Sequence, residues 1–232
     1  KTPAARAVLE DHAVVESTST SKTSREIESL RELVLRMGQL SEDILARSLK
    51  AVWQRDAKAA AQVAIDDLEI DRLEPDVDQT VLRQLALRAP VAQDLRQVIA
   101  VKTMATDLER VGDLARNIAK CALRLIERDP IEPPPIMRSL ASRCQQLLSL
   151  SLRSYADTDP VLARRVLAMD DEVDEEEDHA IQEAIARIKR TPEHAGQEID
   201  LIFIAQSLER VADHATNIAE DVILVAESKN IK

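Results

Sequence analysis

Glu109 and Asp113 stand four residues apart within DLERVGDLARNIA (107–119), and Glu209 and Asp213 stand four apart within SLERVADHATNIA (207–219). Nine of the thirteen positions are identical, so the chain writes one charged phrase twice. On a helix, residues four apart stack one turn above the other and share a face. A second acidic pair precedes each phrase at the same spacing, Asp67 with Asp71 and Asp170 with Asp174. An antiparallel hairpin folding near residue 90 sets Asp71 beside Glu109 and Asp67 beside Asp113, because both pairs are centred on that position. In the second copy, Asp174 with Glu209 and Asp170 with Asp213 share a centre between Thr191 and Pro192. Two independent turns thus predict the same group of four carboxylates.

Such a group repels itself. Like charges at i,i+4 cost a helix roughly 0.2–0.5 kcal/mol per pair, and facing pairs add to that. Cations would relieve it. Oxygen-only ligands suit Mg, Mn, Fe or Zn ions, divalent or trivalent, and several carboxylates can bridge more than one ion. Arg110 and Arg210 are placed to pair with a neighbouring carboxylate, and Asn117 and Asn217 to support the ligands from behind. Glu74 and Glu177 fall on the same faces, as supporting groups or as solvated surface. Glu175 and Glu176 read as solvated surface, and His214, opposite Leu114 in the other copy, as a surface or packing residue.

The elements needed to position these groups are helices. Three glycines and three aromatics in 232 residues argue against sheets, whose turns and faces draw on both. Residues 1–23 end in ESTSTSKT without periodicity and read as a disordered tail. Thr23 and Glu26 form a capping-box pattern ahead of a helix over about 24–54. Asp56 can cap a second helix running to the turn at Ala89-Pro90, and a third follows to about 127. RDPIEPPP (128–135) is a stiff linker with four prolines. The plan then restarts with helices over about 136–157, 160–190 and 192–227, the last two opened by Asp159-Pro160 and Thr191-Pro192. With an offset of 103, Asp56, Val63, Asp67, Asp71 and Glu74 match Asp159, Val166, Asp170, Asp174 and Glu177. The expectation is an all-α fold of two tandem three-helix bundles, 24–127 and 136–228, related by duplication.

Charge and cysteines narrow the function. A formal charge of −11 offers phosphate backbones no basic face, which argues against nucleic acid. Cys121 and Cys144 lack metal-site spacing and read as small core residues. No apolar run is long enough to span a bilayer and no hydrophobic leader opens the chain, so a cytoplasmic protein is expected.

The paired LERV-D--NIA phrases (108–119 and 208–219), with the acidic helices DDLEID and DDEVD before them, resemble the PhoU family over nearly the whole chain after the tail. The resemblance implies a helical regulator carrying multinuclear metal clusters on Asp67, Asp71, Glu109, Asp113, Asp170, Asp174, Glu209 and Asp213. It also implies a homodimer, peripheral to the membrane through its partners. Those partners would be the ATPase subunit of a phosphate ABC transporter, restrained when phosphate is plentiful, and a phosphate-sensing histidine kinase, then kept in its repressing state. Arg116 and His214, set against Thr216 and Leu114, depart from exact repetition and imply that the two sites differ. Two other readings remain. A carboxylate-bridged metalloenzyme, di-iron-like or hydrolysing phosphoesters, would use Glu-x-x-His from two helices, which the chain does not supply as a matched pair. A metal-free scaffold would become more stable when Asp71 and Glu109 are neutralised.

Overall fold

A computed structural model of the chain describes the backbone of residues 3–88, 90 and 92–227, and the side chains of 25–88, 90 and 94–227. The helices are α1 (Pro3–Gln54), α2 (Ala57–Arg88), α3 (Ala92–Ile126), α4 (Pro135–Asp157), α5 (Pro160–Leu167), α6 (Asp170–Arg190) and α7 (Ala195–Glu227), with a 3-10 turn at Pro192–His194. No strand occurs among the described residues. α1, α2 and α3 pack on one another, as do α4, α5–α6 and α7, giving the two three-helix units expected from the repeat.

The same turn opens the middle helix of each unit. Arg55 and Thr158, which occupy matching positions, both adopt the left-handed conformation with φ of 52° and 51°. Behind them the amide of Asp56 donates to the Ala51 carbonyl at 3.1 Å, and that of Asp159 to the Ser154 carbonyl at 2.8 Å. Each aspartate then caps the next helix. Asp56 Oδ1 accepts from the amides of Lys58 and Ala59, and Asp159 Oδ1 from those of Val161 and Leu162. The donors at a helix start are thereby satisfied twice by one device.

Three boundaries differ from expectation. α1 passes through Thr23 without starting there; the side chains of the tail, 1–23, lie outside the described residues. The expected helix over 160–190 is broken at Ala168 and Met169, where the Met169 amide bonds only three residues back, to Val166. Charge explains the break: Arg164 and Arg165 suit the C-terminal end of α5, and Asp170, Asp171 and Glu172 suit the start of α6. The first copy has Ala61 and Gln62 in place of the arginines, and α2 continues unbroken. Thr191 makes no side-chain cap, and a 3-10 turn takes the place of a capped start.

One core runs through both units, and α3 against α7 is its most extensive helix contact. Leu108, Val111, Ala115 and Ile118 of α3 are buried, as are Leu208, Val211, Ala215 and Ile218 of α7. The pairing is antiparallel: Arg124 meets Asp200 while Asp107 meets Asn217, so its midpoint falls between Gly112 and Ala212. α1 and α4 also touch. A side chain on Gly38 would lie 2.5 Å from Leu152 Cδ2, so the glycine lets that leucine pack directly against α1. At the far end of the same helix pair, Arg138 stacks over the Trp53 ring at 4.8 Å. Cys121 and Cys144 are buried free thiols.

Asp200 is the principal ionic tie between the units. Its carboxylate is buried and contacts Arg124 Nε and Arg128 Nη1, each at 2.7 Å. Removing it leaves two guanidinium groups without their acceptor, although both reach water and recover part of the loss. Asp200→Ala is expected to lower the unfolding free energy by about 2 kcal/mol, read by urea denaturation.

Candidate functional site

The α2–α3 hairpin folds in the register that the sequence pattern requires. Thr106 Oγ1 donates to Glu74 Oε1 at 3.4 Å, and Lys102 Nζ lies 2.8 Å from Asp78 Oδ1, both contacts being centred on residue 90. Asp67 sits against Gly112, where an added Cβ would come within 2.4 Å of Asp67 Oδ1. The absence of a side chain there lets the two helices close over a buried carboxylate.

All eight carboxylates gather as two groups of four. In the first, Asp67 is fully buried, with Asp71, Glu109 and Asp113 close enough to repel it. Burial raises its pKa to about 6, against the lowering influence of Arg116. Glu109 is also raised, by burial first and then by Asp113. In the second group, burial and then Asp174 and Asp213 raise Asp170 to about 6. Glu209 rises to about 7, through burial first, then Asp213 and Asp174. Asp174 and Glu177 shift upward for the same reasons.

The groups differ in what offsets this repulsion. Arg116 Nη1 lies 2.7 Å from Asp67 Oδ2 and 3.9 Å from Asp71 Oδ2, and its Nη2 pairs with Asp113 Oδ1. Arg110 adds contacts to Glu109 at 3.4 Å and Asp113 at 3.3 Å, as its spacing suggested. The first group therefore holds a guanidinium from its own chain. At the matching position the second group has Thr216, whose hydroxyl donates to the Asp213 carbonyl at 2.7 Å. Arg210 makes no ion pair with Glu209 or Asp213, and no basic side chain enters this group among the described residues.

These residues fit a cation in chemistry more than in present geometry. Both oxygens of Asp67 are buried without a hydrogen-bond donor, although Arg116 touches one, and the second group is uncompensated. Carboxylate oxygens of this kind are the donors a hard divalent ion takes. As they stand, no three His, Cys, Asp or Glu side chains among the described residues converge as a metal site. Binding therefore requires rotamer adjustment, and Arg116 must leave the first group.

Two supporting assignments change. Asn217 Nδ2 donates to Asp107 Oδ1 at 3.4 Å, so its amide serves the α3–α7 contact and not the second carboxylate group. His214 Nδ1 lies 2.8 Å from the same oxygen, which makes this histidine a polar link between the units and more than packing. Asn117 is exposed, on a cleft between α3, α6 and α7.

Comparison with known proteins agrees with the duplication. The PhoU domain model matches twice, over residues 34–122 and 137–222. The phosphate-specific transport system accessory protein PhoU homolog of Xylella fastidiosa (strain 9a5c) is 34% identical over 206 residues, covering 89% of this chain and 87% of that protein. The homolog of the same name in Zymomonas mobilis is 37% identical over 202 residues, covering 87% and 85%. The crystal structure of PhoU from Pseudomonas aeruginosa superposes with a TM-score of 0.85 at 33% identity, over 89% of this chain and 99% of that one. The phosphate transport system regulatory protein PhoU from Streptococcus pneumoniae gives 0.83 at 26%, over 90% and 99%.

The raised carboxylates make a pH prediction with a definite sign. Asp67, Asp170 and Glu209 hold protons in the folded state at pH values where an unfolded chain has lost them. Their stabilising share is complete below about pH 4 and is lost as pH rises through about 6 to 7. Metal-free protein should therefore lose thermal stability over that window. Asp170→Asn/Glu209→Gln should flatten the loss and melt above the parent at pH 7.5, read by circular dichroism in the presence of chelator.

Proposed function

The chain belongs to the PhoU family, and from that premise we propose that it is a metal-binding regulatory adaptor of phosphate uptake, without catalytic activity of its own. It restrains a phosphate ABC transporter through its ATPase subunit and keeps a phosphate-sensing kinase in its repressing state when phosphate is plentiful. Both contacts lie on the cytoplasmic side, and no helix among the described residues is long and apolar enough to cross a membrane.

One observation carries the metal part of this reading. The fold builds the same four-carboxylate group twice, and in one copy it supplies a cation from its own chain, Arg116. The other copy has the group without the cation. Asp170, Asp174, Glu209 and Asp213 are thus the first site to load, with Glu177 beside them. Asp67, Asp71, Glu109 and Asp113 load once Arg116 turns outward. A bound divalent ion supplies local positive charge, so occupancy changes the electrostatic face presented to a partner. The carboxylates position the ion, and the rigid bundle fixes where its charge sits.

Elemental analysis of protein purified without chelator or histidine tag tests the site. Wild type should retain metal at the second group, Asp170→Asn/Glu209→Gln should lose it, and Arg116→Thr should gain metal at the first. Equal metal contents in all three would refute the assignment. For the adaptor role, Glu109→Gln/Glu209→Gln should derepress a phosphate-starvation reporter in cells lacking their own copy. A metal-free variant that represses normally would overturn the link between metal and regulation.

A further inference from the structure

A cleft of about 780 Å³ opens beside the second carboxylate group. α6 supplies one wall with Asp174 and Glu177, α3 supplies the other with Lys120, and α7 forms the floor with Glu209 and Arg210. α3 and α6 make no substantial contact with each other, so the space between them over α7 is open along its length. Its volume lies in the range of small-molecule sites, ~300–1,000 Å³.

The charges in this cleft are sorted by wall. Carboxylates line the α6 side, and Lys120 approaches from α3. Lys120 and Arg210 are exposed and make no ion pair among the described residues, in a chain with an excess of acids. Arg210 is telling, because Arg110 at the matching position pairs with both Glu109 and Asp113. Arg124, which also borders the cleft, is held on Asp200 and is not free to serve a ligand. The other unit does not repeat this chemistry: Lys120, Arg124 and Phe203 correspond to Glu220, Leu224 and Thr103.

A ligand that suits both walls must be a cation toward α6 and an anion toward α3 and Arg210. The geometry points to a metal-chelated phosphate group as the occupant, its divalent ion on Asp174 and Glu209 and its phosphate oxygens on Lys120 and Arg210. Cationic side chains bind phosphate through charge-assisted hydrogen bonds, and a metal ion lets the same anion lie beside carboxylates that would otherwise repel it. Inorganic phosphate and the phosphate chain of a nucleotide share this chemistry. The inference rests on metal binding at the second group, as proposed above.

Equilibrium dialysis of the full chain against Mn2+ alone, radiolabelled inorganic phosphate alone, both together, and Mn2+ with ATP tests it, with bound Mn2+ followed by electron paramagnetic resonance. Wild type should retain phosphate or ATP only when Mn2+ is present. Lys120→Ala/Arg210→Ala alters exposed residues; it should keep its Mn2+ while its anion affinity falls by about tenfold or more. Tighter retention of ATP assigns the cleft to nucleotides, and tighter retention of phosphate assigns it to the inorganic ion. Retention of Mn2+ with neither phosphate nor ATP retained in its presence would overturn this inference and leave the metal reading intact. Anion binding unchanged in the double variant, or independent of Mn2+, would also overturn it. Protein that binds neither Mn2+ nor anion would overturn both readings together.

Discussion

Everything in this fold depends on apolar packing strong enough to hold like charges face to face. Each hairpin of α2 with α3, and of α6 with α7, presents a buried apolar stripe to the core and a carboxylate face to its partner. Two unit charges about 4 Å apart repel by roughly 1 kcal/mol in water and ~4 kcal/mol near a protein surface. Burying one Leu or Ile side chain contributes about 1.5–3 kcal/mol. α3 alone buries Leu108, Val111, Leu114 and Ile118, so the register is set by the core and the acids must follow. The fold therefore carries a local electrostatic cost at two fixed places, which partial protonation, a guanidinium or a bound ion can each relieve.

The sequence made that arrangement legible because two kinds of pattern agreed. Spacing of four placed each acidic pair on one face, and a common centre for the facing pairs gave the register, which the contacts of Glu74 with Thr106 and Asp78 with Lys102 reproduce. Asp56 and Asp159 announced their caps in the same way, since a capping aspartate acts within three residues of itself. The break at Ala168–Met169 was missed because hydrophobic periodicity continues through it. The signal was electrostatic, an arginine pair followed by three acids, and periodicity does not register charge. The reassigned Asn217 was illegible for a different reason. Its partner Asp107 lies on another unit, and no local pattern encodes how two units dock.

The repeated phrase is most informative where it fails to repeat. The nine shared positions include what both units need, the apolar stripe and the Glu and Asp of the carboxylate face. Each of the four unshared positions breaks the symmetry in a definite way. Gly112, against Ala212, leaves room for Asp67 to be buried under α3. Arg116, against Thr216, fills the first carboxylate group and leaves the second open. Asp107 and His214, against Ser207 and Leu114, meet each other across the α3–α7 contact. A duplicated chain with identical halves would place two identical groups about its dyad, and both would face the same cation equally. The Arg116–Thr216 difference converts that symmetric pair into one group partly offset by a guanidinium and one that is not. Any cation that enters must then discriminate between them, whatever its identity. The difference is one of competition: at the first group an incoming ion must displace a tethered arginine, whose local concentration is fixed by the chain, while at the second it competes only with protons.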